Sequence, residues 1–315
     1  MLPLLYPDSD TREALLADPS TAPIPQLHRE LFRFAEKFVR GSWTMGSEDL
    51  QRLREAGLSD ADIVQWATLG STQSWFTMSA DGGGIPMDGD ALTGPGVGRT
   101  RDSYEATPGG LLAASDDAPF SSSAETDGAI AWVTTDESAK ESCDAASWAE
   151  QRYDCVPNLF RAVSLQPSFY RRHRLALQLL EAPQSESLSA RHHAMVRVLV
   201  SHLGRSRYSA PTSRALLSQI EGGDQLVDRI CKESLDDALG SDWSPIDRTV
   251  LSLAAKFARN AYKVTDKDAI GLREAGLDDE AYVDILNTVS IQTSLDRLAN
   301  ALGVRPDPVP LLPGC

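Results

Sequence analysis

"LREAGL" stands at Leu53–Leu58 and again, unchanged, at Leu272–Leu277. With Leu53 set on Leu272, positions 28–88 align with 247–307 without a gap, and 19 of the 61 pairs are identical. The identities include Ala35/Ala254, Lys37/Lys256, Phe38/Phe257, Arg40/Arg259, Asp49/Asp268, Asp60/Asp279, Ser71/Ser290, Gln73/Gln292 and Ala80/Ala299. A match this long and ungapped exceeds what shared composition produces, and it reads as a duplicated unit.

Each copy reads as three helices. In the second, Val250, Leu251, Ala254, Phe257 and Ala258 recur at three- and four-residue spacing, so one face of 247–262 is apolar. Thr265 is placed to cap a short helix over 266–275, and Gly276 supplies the left-handed residue that stops it. Asp278 or Asp279 then opens a longer helix to about Leu302, closed by Gly303. The first copy follows the same plan, with Ser47 as cap, Gly57 as stop and a long helix from about Asp60. Its finish is weaker, since "SADGGG" replaces "LANALG".

The composition changes between the copies. Residues 82–127 are dense in Gly, Pro, Ser, Thr and Asp, too poor in apolar surface to offset their ordering entropy. "AIAWVTT", Ala129–Thr135, is a lone strand-like run that must pack across helices or be loop. Helices resume at about Ser147 and include one capped by Ser189, whose face carries Met195, Val198, Leu199, His202 and Leu203; a further helix follows over Ser213–Ile220. The chain therefore reads as all-α: a truncated copy over 1–88, a linker or long loop over 89–140, and a complete helical domain over 141–315. The truncated copy cannot close a core alone and is expected to pack on the complete domain or on a second chain. The Trp- and Phe-rich stretch 63–78 offers an apolar face for such a contact.

Bulk composition narrows the function classes. A net charge of −15 argues against nucleic acid and against an anionic membrane surface, both of which need clustered Lys and Arg. "MLPLLYPDSD" lacks the basic start and apolar run of a signal peptide, and no stretch approaches the ~20 apolar residues that cross a bilayer, so the expected setting is cytoplasmic. The four cysteines, Cys143, Cys155, Cys231 and Cys315, form no CxxC pair and are expected to be reduced thiols; whether Cys143 and Cys155 approach each other stays open. His192 and His193, adjacent on a helix, point about 100° apart and do not share a metal face, so no metal and no cofactor are expected. The basic run Arg171–Arg174 reads as a solvated helix face.

The stretch "HLGRSRYSAPTS", His202–Ser213, has the rhythm of a reactive motif. Together with "VPNLFRAVSLQPSF" (156–169) before it and "SPIDRTVLSLAAKF…" (from 244) after it, it resembles the alkylhydroperoxidase D-like / carboxymuconolactone decarboxylase family, in its peroxidase-related branch. The resemblance covers roughly 150–307 and implies a helical fold, a homo-oligomer and thiol peroxidase chemistry. That chemistry needs Glu, then CxxC twelve residues on, then His four residues after the second Cys: one thiolate attacks the peroxide, the other resolves the sulfenic acid, and Glu and His relay the proton. The matching positions here are Ala194, Ser206, Ser209 and Ser213. A serine forms neither a sulfenic acid nor a disulfide, so the peroxiredoxin-type activity that the family implies is disfavoured.

What remains is a candidate pocket of His202, Ser206, Tyr208, Ser209 and Ser213. His202 lies one turn before Ser206 and could act as its base, although no orienting carboxylate is identifiable. The plainer reading makes the serines helix caps and His202 a packed histidine. Two functions follow: non-redox, acid–base chemistry on a small-molecule ligand in a retained pocket, or a non-catalytic binding, assembly or regulatory role on the same scaffold.

Overall fold

A computed structural model describes residues 6–85, 129–136, 138, 144–181, 185–231, 243–308 and 310–311. Every regular element among the described residues is helical. They are α1 (Ser9–Ala17), α2 (Gln26–Gly41), α3 (Ser47–Glu55), α4 (Asp60–Gly83), α5 (Asp144–Tyr153), α6 (Asn158–Ala162), α7 (Ser168–Glu181), α8 (Ala190–Leu203), α9 (Ser209–Ser218), α10 (Gly223–Cys231), α11 (Pro245–Asn260), α12 (Asp266–Glu274) and α13 (Asp279–Leu302). Short 3-10 turns over Ser42–Thr44 and Ala261–Lys263 follow α2 and α11.

The elements α2, 3-10 turn, α3 and α4 have the same lengths as α11, 3-10 turn, α12 and α13, and the offset that sets Leu53 on Leu272 carries each onto its counterpart. Their local chemistry is also shared. Lys37 pairs with Asp49 at 2.6 Å and Lys256 with Asp268 at 2.7 Å; Arg54 pairs with Asp60 and Arg273 with Asp279, both at 2.7 Å. The third residue of each short helix is an aspartate that reaches back one turn: Asp49 accepts the Gly46 N–H and Asp268 the Thr265 N–H. The cap of α3 is therefore Gly46 rather than Ser47, because the Asp49 carboxylate satisfies the free N–H from inside the helix. Gly84 and Gly303 close the long helices in the left-handed conformation, so "SADGGG" ends α4 as "LANALG" ends α13.

The two long helices pack against each other, antiparallel. Ser71 Oγ donates to the Ser294 carbonyl, Ser79 meets Ser290, and the Tyr282 hydroxyl donates to the Gly82 carbonyl. Each 3-10 turn sits on the long helix of the other set. A Cβ at Gly82 would fall 2.5 Å from Leu286 and 2.9 Å from Phe257, so those side chains would have to shift. Helix α13 is the centre of the molecule. Its first half belongs to a core with α8, α10, α11 and α12, and its second half to a core with α2–α7.

Ala129–Asp136 forms no strand; it crosses the end of α13, with the Trp132 N–H donating to Leu302 O and the Arg305 N–H to Ile130 O. The rest of the 89–140 linker lies outside the described residues, apart from Ser138. The basic run Arg171–Arg174 is not a solvated face throughout, since His173 is fully buried and Arg172 reaches Ser71 and Ser294 between the long helices. On α4, Trp66, Leu69 and Phe76 form an exposed apolar stripe. No described helix is long and apolar enough to cross a membrane.

Candidate functional site

Helix α8 ends at Leu203, and Arg205, at φ 45°, turns the chain sharply so that the Ser206 N–H bonds back to Ser201 O. Helix α9 then starts at Ser209, earlier than the Ser213 start that the sequence predicts. Pro211 is accommodated because it falls in the first turn, where its missing N–H is no loss. Ser206 is buried, and its hydroxyl accepts the N–H of Ser209, the first residue of α9, at 3.1 Å. Its own proton goes to Ser209 Oγ at 3.3 Å.

Ser209 does something else. Its hydroxyl donates to the Oδ1 atom of Asp296, which also accepts from Gln292 Nε2 at 2.9 Å. Asp296 is 1% exposed. Burial raises its carboxyl from 3.8 to about 6, against the hydrogen bonds from Ser209 and Gln292 and the charge of Arg197. A directed chain thus runs from the Ser206 hydroxyl through Ser209 to a buried acid that titrates near neutrality.

Ser209 and Tyr208 border a cavity of about 30 Å³, lined also by Tyr153, His173, Glu181 and Arg197. The Arg197 guanidinium is buried. Burial pulls its pKa down, while Tyr153, Glu181 and Asp296 hold it up. The Tyr153 hydroxyl donates to Glu181; burial and that carboxylate push the phenol far above its ordinary value. His173 is fully buried, and its Nδ1 bonds to Phe169 O at 2.7 Å. Burial, reinforced by Arg172, depresses its pKa to about 3, so the ring is neutral and its Nε2 keeps a lone pair without a partner. The Tyr208 hydroxyl bonds to Asp307, and burial raises both groups.

Ser206 and Ser209 are hydrogen-bonded, and Ser209 and Tyr208 line the cavity, whereas Ser206, His202 and Ser213 are not among its lining residues. His202 is half-buried at the end of α8 and is not among the residues lining the cavity. Ser213 is wholly buried and its hydroxyl has no hydrogen-bond partner. Asp296, Arg197 and His173 are the groups that sequence reasoning missed. No local signal marks Asp296, since polar residues make up half of the helix that carries it.

His192 and His193 address different carboxylates, Asp247 at 3.1 Å and Asp284 at 2.9 Å. No cluster of three or more metal-ligating side chains occurs among the described residues. Cys155 and Cys231 are free thiols; burial raises the pKa of both. Cys143, and with it a pairing to Cys155 as a question, lies outside the described residues. With hydrogen peroxide and a dithiol, the protein is expected to consume no peroxide above the dithiol blank. Residual peroxide over time measures this, and protein-dependent turnover would show that a thiol away from Ser206 and Ser209 does the work.

No family model matches the chain, and no curated protein matches it. Among solved structures it is similar to the alkylhydroperoxidase AhpD core of an uncharacterized peroxidase-related protein from Ralstonia eutropha JMP134. That match is 22% identical with a TM-score of 0.49, over 59% of this chain and 98% of the other. It is also similar to an uncharacterized peroxidase-related protein from Silicibacter sp. TM1040, again 22% identical, with a TM-score of 0.47, over 55% of this chain and 88% of that one.

Proposed function

We propose that this chain performs non-redox, acid–base chemistry on a small metabolite, with Asp296 as the proton-transferring group and Ser209 as its hydrogen-bonded relay. The observation that carries the reading is the buried Asp296 carboxyl, titrating at about 6 and bonded to the serine that stands at the second-cysteine position of the resembling family. A general acid or base is most effective when its pKa lies near the working pH. A serine whose own proton goes to a carboxylate of that strength is not activated as a nucleophile, which favours proton transfer over acyl transfer. Arg197, which lines the cavity, supplies the positive charge that would orient an anionic carbonyl compound.

The test is proton exchange in deuterated water. Small oxo acids and lactones are incubated with the protein, and deuterium at the acidic carbon or ring opening is followed by NMR. Wild type is expected to turn over at least one class, Asp296→Asn to lose about a hundredfold or more, and Ser209→Ala to lose less. A single observation favours the second reading, a non-catalytic binding or assembly role: a volume of about 30 Å³ holds one or two waters, not a metabolite. Under that reading no compound exchanges, and Asp296→Asn changes stability alone.

The organisation proposed around this site is a complete helical unit over 141–315 and a shortened copy over 1–88. Its support is that one constant offset relates helix bounds, ion pairs and glycine stops in the two halves. Relatives in which only one of the two sets is present, with an unrelated helix order, would overturn it.

A further inference from the structure

We propose that Ser189, His192 and Asp247 form a second reactive site, in which Ser189 is a nucleophile that hydrolyses small, unhindered carboxylic esters. The site shares no residue with the cavity at Ser209 and does not depend on the acid–base reading.

The three side chains are connected in order. Ser189 Oγ lies 3.0 Å from His192 Nδ1, and His192 Nε2 lies 3.1 Å from Asp247 Oδ1. A carboxylate only accepts, so in the neutral ring Nε2 carries the proton and Nδ1 presents its lone pair to the serine hydroxyl. That is the arrangement of a nucleophile, a general base and a group that orients the base. The two ring nitrogens are exchanged relative to the serine proteases, which leaves the proton path intact.

The surroundings keep the base ready. Burial lowers the His192 pKa below 6.5, opposed by Asp247 and assisted by Arg191 and His193. The ring is therefore predominantly neutral at pH 7, the state in which it can take a proton. Asp247 is 5% exposed, and the Arg191 guanidinium holds both its oxygens, at 2.6 and 2.9 Å. That fork fixes the carboxylate and, through it, the ring.

Helix capping explains one of these contacts and not the others. Ser189 is the N-cap of α8, and its Oγ accepts the His192 N–H at 3.3 Å. A cap does not require the imidazole to turn back to the same oxygen, nor a buried carboxylate on the ring's far side. Ser209 gives its proton to a carboxylate, whereas Ser189 faces a nitrogen base. Ser189 is also exposed, so an acyl group reaches it directly.

In the reaction, Ser189 Oγ bonds to the ester carbonyl carbon as its proton passes to His192 Nδ1. The bond from that carbon to the alcohol oxygen breaks, and the alcohol leaves with the proton. Water then attacks the acyl-serine and gives a proton to Nδ1; the carboxylic acid departs as Ser189 takes that proton back. The N–H of Ala190, the residue after the nucleophile, lies in the first turn of α8, where N–H groups have no acceptor within the helix. It is the donor for the carbonyl oxygen as negative charge develops there.

A biotinylated fluorophosphonate, incubated with the full chain, tests the proposal. Peptide mass spectrometry is expected to find the label on Ser189 and not on Ser185 or Ser187. p-Nitrophenyl acetate is expected to be hydrolysed faster by the wild type than by Ser189→Asp, which caps the helix equally well but has no hydroxyl. His192→Ala is expected to slow labelling about a hundredfold. The cap survives that change, because Ser189 accepts the backbone N–H of residue 192. The wild-type labelling rate is expected to rise with pH through a midpoint below 6.5, as His192 loses its proton. Asp247→Asn is expected to move that midpoint further down, since the carboxylate's pull on the ring proton is lost; a packing role alone would not move it. Asp296→Asn is expected to label as the wild type does, which separates the two sites. No label at Ser189, labelling indifferent to His192→Ala, or ester hydrolysis undiminished in Ser189→Asp would each overturn the proposal.

Discussion

Asp296→Asn is expected to stabilise the protein at pH 7 by about 2 to 3 kcal/mol and to have no such effect near pH 4. The size follows from the displacement of the carboxyl from 3.8 to about 6, at roughly 1.4 kcal/mol for each unit of pKa. The folded state holds this proton more tightly than the unfolded chain does. Its contribution is therefore fully present below about pH 4 and is lost as pH rises through about 6. At pH 7 the wild type keeps a buried carboxylate that an amide replaces without charge. Asparagine can still accept from Ser209 and Gln292 through one oxygen, and its amino group takes the place of Oδ2, which has no hydrogen-bond partner. Thermal denaturation at the two pH values checks this; a gain of roughly 4–10 °C is expected at pH 7. A loss at pH 7 would mean that Arg197 needs this charge more than burial opposes it.

Gly303→Ala is expected to destabilise the fold by about 3 kcal/mol, roughly 6–12 °C in Tm. Two causes add. The left-handed backbone at φ 62° disfavours any Cβ, at about 1–2 kcal/mol. That Cβ would also overlap the six-membered ring of Trp132, so the 130–134 segment must lift from the end of α13. Gly276→Ala separates the two. Gly276 also has a positive φ, 90°, but a Cβ there meets nothing within 4 Å, so it shows the backbone cost alone. An equal loss in both variants would remove Trp132 from the explanation.

Much of the fold was legible in the sequence because its signals are local. Glycines at 57, 276 and 303, the acidic residues that open helices, and an apolar period near 3.6 residues each act within one or two turns. The start of α9 was misread for a local reason too: Pro211 looks like a break, yet it fits the first turn of the helix. The candidate site was legible only in part. Ser206, Tyr208 and Ser209 lie in one motif, whereas Asp296 is 87 residues beyond Ser209. Nothing within a few residues of Asp296 reveals that it lies beneath Ser209 rather than facing solvent. For His202, helical spacing gives the side of the helix but not what lies opposite. Arg172 and His173 were read as surface because charge in a run resembles a solvated face, and only tertiary packing places the α4–α13 pair over them.

The antiparallel pairing of α4 with α13 also has a consequence during synthesis. When α4 leaves the ribosome, everything from Gly84 to the end of α13 at Leu302 is still to be made, and α13 is the helix that will cover it. At about 5–20 residues per second that interval is roughly ten to forty seconds. Throughout it, Ile63, Val64, Ala67 and Met78, all buried in the finished protein, have no α13 or α11 to pack against. The first half must therefore wait, with its apolar side uncovered, for a partner at the far end of its own chain. That long-range closure makes the last helix the step that completes both cores at once.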